Sequence, residues 1–204
     1  SLQSKKERRR VLSVLVEQGL AGYAVEPLIE TIDRLQEQVK VVEKVLAEKV
    51  AGDRVVELLM TIPGAGLITA ATIRAYTDDI GKFVSYKQYA AYAGLVPWVQ
   101  NSNNTERYGN ITKRGPCELR TALVQVVLGM VRNRRITGGY RIISRYTAMK
   151  RQKGSGKAII ATARKLSKVV WYMLQKNEPF DPMRMSDPKV RRTALQMQAV
   201  EPAA

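Results

Sequence analysis

Apolar residues recur at alternating steps of four and three from Leu28 through Ile32, Leu35, Val39 and Val42 to Leu46. This is the seam of a heptad pattern, with Glu30, Glu37, Lys40, Glu43, Lys44 and Glu48 around it. The spacing predicts a long helix opening at Pro27. It serves either as a dimerising or intramolecular helical hairpin, or as a single amphipathic helix packed on its own domain. Upstream, residues 5–20 read as a helix with a basic first turn and an apolar second half, interrupted at Gly19 and Gly22.

From Val55 to Tyr76, two helical apolar patterns flank Pro63-Gly64-Ala65-Gly66, with Leu59, Ile62, Ile68 and Ile73 on the flanks. The arrangement resembles a helix-hairpin-helix element. There Gly64 and Gly66 let the backbone turn and approach a phosphate near a helix N-terminus. A plain tight turn between core helices is the alternative. After Ile80–Phe83, Ser85 predicts the N-cap of a short helix carrying Tyr86, Tyr89 and Tyr92, with Gly94 closing it. The aromatics are expected in the core.

Pro97 ends that pattern, and Gly109, Gly115 and Pro116 punctuate the way into the next. Residues 94–116 therefore read as a long polar loop holding Ser102. Pro116 opens a helix whose stripe is Leu119, Ala122, Leu123, Val126, Val127 and Met130. Residues 140–152 predict a basic helix. Residues 157–174 predict another, with Ala163, Leu166, Val170 and Met173 facing inward. The prolines at 179, 182 and 188 mark an extended tail, ordered only if it docks. The expected fold is all-α: N-terminal coiled-coil helices (residues 1–52), a compact helical domain (53–178) with the hairpin element and the polar loop, and the tail (179–204).

Charge narrows the partner. The 204 residues hold 34 Lys plus Arg against 18 Asp plus Glu, a net charge of +16. Residues 1–60 carry ten basic and ten acidic side chains, whereas residues 101–160 carry thirteen and two. The excess points to nucleic acid bound by the middle and C-terminal parts, with affinity that falls as salt rises. No apolar stretch approaches a membrane span. With Cys117 alone and no histidine, an internal disulfide and a histidine-based zinc site are excluded, and a cytoplasmic setting fits. The absence of an initiating methionine at Ser1 suggests a piece of a longer protein. Gly154-Ser155-Gly156-Lys157 is not a phosphate-binding loop: Arg151 stands where glycine is needed and Ala158 where Ser or Thr is needed. It is a basic turn between helices.

Four ordered blocks carry a resemblance: LLMTIPGAGLITAATI, FVSYKQYAAYAGLVP, Ser102 followed by ERYGNITKRG and LRTAL, and KAIIATARKL. Together they resemble the transposases of the insertion-sequence group numbered 110, 116 and 902, which includes site-specific invertases of the Piv type. The blocks correspond to the family's C-terminal transposase domain, preceded by what looks like its connecting coiled coil. The resemblance implies a full-length enzyme with an N-terminal RuvC-like domain whose acidic residues hold magnesium. No such acidic set stands in this chain, where Asp78 and Asp79 form the one adjacent acidic pair. It also implies DNA as substrate, a structured guide RNA as partner and a prokaryotic setting, while the heptads themselves predict a homo-oligomer through residues 28–46.

Carried over by position, Ser102 matches the family's serine nucleophile, with Arg107, Lys113, Arg114 and Arg120 as the cations in reach of a phosphoryl group. The chain departs from the family pattern at Asn103, where glycine is usual; asparagine also tolerates a left-handed backbone. This chain is expected to hold neither metal nor cofactor and to be inactive alone, since nothing in it supplies the base or metal. The rival reading is a non-enzymatic nucleic-acid-binding module, in which Ser102 only hydrogen-bonds phosphate. A scaffold built on the heptads is a third.

Overall fold

A computed structural model describes residues 4–19, 25–102 and 105–185; for residues 99–102 and 105–108 it describes the backbone alone. The chain divides into two compact units, residues 1–51 and 52–204.

In the first unit, α1 (Lys5–Glu17) packs on α2 (Val25–Lys49). Ser4 caps α1 by accepting the Glu7 N–H at 3.2 Å. The contact between the two helices is polar. Arg8 is buried and pairs with Asp33, and its Nη2 also donates to Gln36 Oε1 at 2.8 Å. Ile29 is the buried apolar residue of α2. The heptad seam lies elsewhere on the helix and stays open: Leu28 is 63% exposed, Leu35 54% and Val42 66%.

The second unit is a helical body. In chain order it comprises α3 (Arg54–Met60), α4 (Leu67–Thr77), a 3-10 turn (Ile80–Lys82), α5 (Tyr86–Tyr92), α6 (Cys117–Arg132), α7 (Arg134–Thr137), α8 (Arg141–Lys153), α9 (Ser155–Lys176) and α10 (Pro182–Met185). The predicted stripe of α6 is buried throughout, from Leu119 to Met130. Ala163, Leu166, Val170 and Met173 of α9 face it across the core, as their spacing predicts. Each large aliphatic side chain so buried contributes on the order of 1.5–3 kcal/mol. Ser85 does cap α5, accepting the Gln88 N–H at 3.4 Å. Of its tyrosines, Tyr89 is fully buried with its hydroxyl 2.8 Å from Thr77 Oγ1, whereas Tyr92 stays 38% exposed.

Two predicted features take a different form. The long polar loop over residues 94–116 is instead largely a two-stranded antiparallel hairpin, β1 (Pro97–Ser102) and β2 (Thr105–Ile111). Residues 97–102 and 105–111 lack a strict apolar–polar alternation, so nothing in their hydrophobic pattern announces strands. The first part of the tail is docked: Phe180 is buried against Tyr140, with ring centroids 5.7 Å apart, and its N–H donates to Thr61 Oγ1 at 2.9 Å. Residues 186–204 lie outside the described set.

Candidate functional site

Among the described residues, the hairpin is where the body of helices gives way to paired strands. Its ladder matches Gln100 with Arg107, Asn101 with Glu106, and Ser102 with Thr105, with an irregularity between Pro97 and Val99. Directly opposed residues of an antiparallel pair share a face, and faces alternate along a strand. Positions 100, 102, 105 and 107 therefore fall on one face of the ladder, and 101 and 106 on the other. Ser102 is not in a loop as predicted but at the last position of β1, sharing a register face with Arg107. The side chains of Ser102 and Arg107 lie outside the described set, as does all of Asn103.

The base of the hairpin is closely built. The Thr112 N–H donates to Val96 O at 2.9 Å and the Lys113 N–H to Gly94 O at 3.3 Å, extending the ladder toward the body. Gly94 has φ +67°, and a Cβ there would stand 2.7 Å from Arg114 O and 2.8 Å from Arg120 Nη1. Only glycine fits both that dihedral and that space. Gly115, at φ +107°, packs against the Tyr92 carbonyl so closely that a side chain is excluded. Trp98, half exposed, lies over Gly109 across the strands.

The four cations named from the sequence separate into different roles. Lys113 and Arg114 are exposed at the foot of the hairpin, and Lys113 holds a left-handed φ of +53°. Arg120 is turned inward: its Nη1 donates to Ala93 O at 3.5 Å and to Lys113 O at 3.4 Å. It ties α6 to the last turn after α5 and to the strand exit. Arg107 stands on β2, at the face described above.

Gly64 and Gly66 also separate. Gly64, φ +91°, presses its backbone on α6, where a Cβ would stand 2.5 Å from Met130 N and 2.7 Å from Gly129 C. Gly129 returns the contact, its own Cβ position lying 2.6 Å from Gly64 O. Gly66 faces open space at the start of α4, where its N–H donates to Thr69 Oγ1 at 2.9 Å. Of the two, only Gly66 leaves room for a ligand to approach.

Beside the hairpin foot, Glu118 opens α6 next to Cys117 and Tyr76. Its carboxyl is held below the usual range by its own backbone N–H, then by Cys117 and Tyr76. Partial burial, and after it the Glu118 charge, pushes the Tyr76 phenol up. Among the described residues no three Cys, Asp or Glu side chains converge as a metal site. No described helix is long and apolar enough to cross a membrane.

Sequence reasoning missed the hairpin and the clamping role of Arg120. A usable signal was present in the sequence: Asn103-Asn104 follows Ser102, and asparagine favours turns. The clamp had no such signal, because it depends on α6 returning beneath the end of α5.

Residues 56–141, from α3 to the start of α8 and so including the whole hairpin and its foot, match the Transposase IS116/IS110/IS902 family. Over these residues the chain is similar to the IS116/IS110/IS902 transposases. Relatives of the chain include a probable family 20 transposase of Pseudomonas aeruginosa, 27% identical over 79% of the chain and 47% of the relative. The transposase for insertion sequence element IS1111A of Coxiella burnetii is 28% identical over 74% of the chain and 39% of its own length. A pilin gene-inverting protein of Moraxella lacunata is 33% identical over 61% of the chain and 38% of its own. The chain thus spans about half or less of the length of these relatives. Within it, the matched region centres on the Ser102 hairpin rather than on the heptad helix.

Proposed function

We propose that this chain is the strand-transferring part of a DNA transposase or recombinase, and that Ser102 supplies the attacking hydroxyl. The observation that carries the proposal is the position of Ser102 at the end of β1, on the same register face as Arg107, within the family-matched residues. Relatives that transpose insertion sequences and one that inverts a pilin gene favour recombination over a passive binding module.

The chemistry is an exchange of one phosphodiester for another. The Ser102 Oγ attacks phosphorus, a serine–phosphate bond forms, and the bond to a deoxyribose oxygen breaks. The serine proton leaves and the freed deoxyribose oxygen gains one, so no water or nucleotide is consumed and the phosphoserine bond can be reversed by a DNA hydroxyl. Charge building on the phosphoryl oxygens needs fixed cations. Arg107, Lys113 and Arg114 would serve, whereas Arg120 would act by holding the carbonyl that precedes Arg114.

Among the described residues no three Cys, Asp or Glu side chains converge to hold magnesium. We infer that the acidic metal-binding set implied by the family resemblance comes from outside these residues. A structured guide RNA is a second nucleic-acid partner for the basic surface. The open seam of α2 pairs with a second copy.

The test is the full-length protein with a nicked DNA substrate that traps covalent intermediates. Ser102→Ala should abolish the protein–DNA adduct and leave binding of duplex DNA nearly unchanged. Adduct that persists in this variant moves the nucleophile to Thr112, Ser85 or another domain.

A further inference from the structure

On the side of the second unit built by α8, α9 and residues 178–185 lies a cleft of about 450 Å³ that strand transfer at Ser102 leaves unused. The docked Phe180 sets one wall, pinned by the Thr61 hydrogen bond and the Tyr140 ring. The floor is mostly apolar: Ile142, Met149, Ala161, Val169 and Met173 line it, with the aromatic rings of Tyr172 and Phe180 at its sides. The floor hydroxyl of Thr162 is already committed, donating to Ala158 O at 2.7 Å.

The rim is the opposite in character. Arg141, Arg145, Lys165 and Lys176 are exposed and have no acidic partner among the described residues. The two rim acids, Glu178 and Asp181, are both taken by Arg184, at 2.8 and 3.2 Å. Lys168 leans over the Tyr86 ring, 4.5 Å from its centroid. The cleft therefore presents apolar depth inside an unneutralised positive edge.

These two properties select a class of ligand. A nucleobase placed on this floor would leave its ring donors and acceptors unpaired, at about 1–3 kcal/mol each. Aliphatic side chains incur no such cost, and methionine-lined grooves adapt to them. The edge asks for carboxylates flanking those side chains. The chain's own sequence after Met185 is a poor match, since Lys189, Arg191 and Arg192 repeat the charge of the rim.

We propose that this cleft docks an acidic amphipathic helix of a partner protein, its apolar face on Ile142, Val169 and Met173 and its carboxylates on Arg145 and Lys165. The partner would join the recombinase away from the hairpin, leaving Ser102 free.

Fluorescence anisotropy on the full chain tests this with three probes. One is a labelled peptide of about 15 residues, glutamate-rich with leucines at i, i+4, i+7 and i+11. The others are a scrambled peptide of the same composition and a single-stranded oligothymidylate. The first should bind saturably and the scrambled one about tenfold more weakly. Arg145→Glu combined with Lys165→Glu, both at exposed positions, should weaken the first by about tenfold or more. Ala161→Trp, which fills the floor, should abolish its binding with helix content unchanged by circular dichroism; if that variant unfolds, the charge-reversal pair alone decides. Equal binding of the scrambled peptide would overturn the proposal by reducing it to charge alone. Displacement of the peptide by oligothymidylate would overturn it in favour of a nucleic-acid cleft. Binding that appears only after residues 187–204 are removed would give the cleft to the chain's own tail.

Discussion

The guanidinium of Arg120 donates to the carbonyl of Lys113 at 3.4 Å, so that α6 holds the foot of the hairpin whose far end carries Ser102. A second bond from the same nitrogen reaches Ala93 O at 3.5 Å. One side chain therefore fixes both ends of the segment that leaves the helical body and returns to it. Both bonds are long, which places their combined worth nearer 1 than 3 kcal/mol.

Arg120→Ala is expected to lower the stability of the chain by about 1 kcal/mol, read by urea denaturation. In the full-length protein it should reduce covalent adduct yield more than DNA affinity, because it loosens the site without removing an exposed phosphate contact. Equal losses in both would instead make Arg120 a direct phosphate ligand.

Gly64 and Gly66, two residues apart, should behave oppositely. Gly64→Ala forces a Cβ onto the α6 backbone at a φ of +91° and is expected to cost about 3 kcal/mol or more. Gly66→Ala meets open space and loses only N-cap preference, about 0.5–1 kcal/mol. Denaturation midpoints of the two variants check this directly. Matching midpoints would contradict the packing role of Gly64.

Asp53 couples the second unit to pH. Its carboxylate accepts the Val55 and Val56 N–H groups at 2.8 and 3.3 Å and the Arg74 Nε–H at 2.9 Å. Burial pushes its pKa up, but the Arg74 bond and then the two N–H groups outweigh this, leaving it below the ordinary value of 3.8. A depressed pKa gives stability that is fully present above the unfolded value and is lost as pH falls through the folded one. Asp53→Ala should cost about 1–2 kcal/mol at neutral pH, and the gap from the parent chain should shrink in acid below the carboxylate range. Thermal melts across that range measure it.

Much of this fold was legible because the helices of the second unit bury one stripe each. The α6 run from Leu119 to Met130 and the α9 run from Ala163 to Met173 declare both helix and inward face by spacing. The hairpin was not legible, since the residues of β1 and β2 carry no strict apolar–polar alternation that would announce strands. The separate duties of Gly64 and Gly66 were equally hidden: one touches Gly129, and no local pattern encodes that distant contact. At the candidate site, the sequence did not tell that Arg120 turns inward to the carbonyls of Ala93 and Lys113.

The open seam of α2 gives a prediction about assembly. Leu35→Glu with Val39→Glu replaces two exposed seam residues and should leave the helix intact, since neither is buried in this chain. Light scattering should show a dimer for the parent at high concentration and a monomer for the variant. A parent that stays monomeric removes α2 as a dimer interface.

Strand transfer by Ser102 is tested most directly by locating the covalent bond itself. The trapped adduct of the full-length protein, digested with nuclease and protease, should yield a phosphonucleotide remnant in mass spectra on the peptide that contains Ser102, at that residue. A remnant on Thr112, on Ser85 or on a peptide outside this chain would contradict the account.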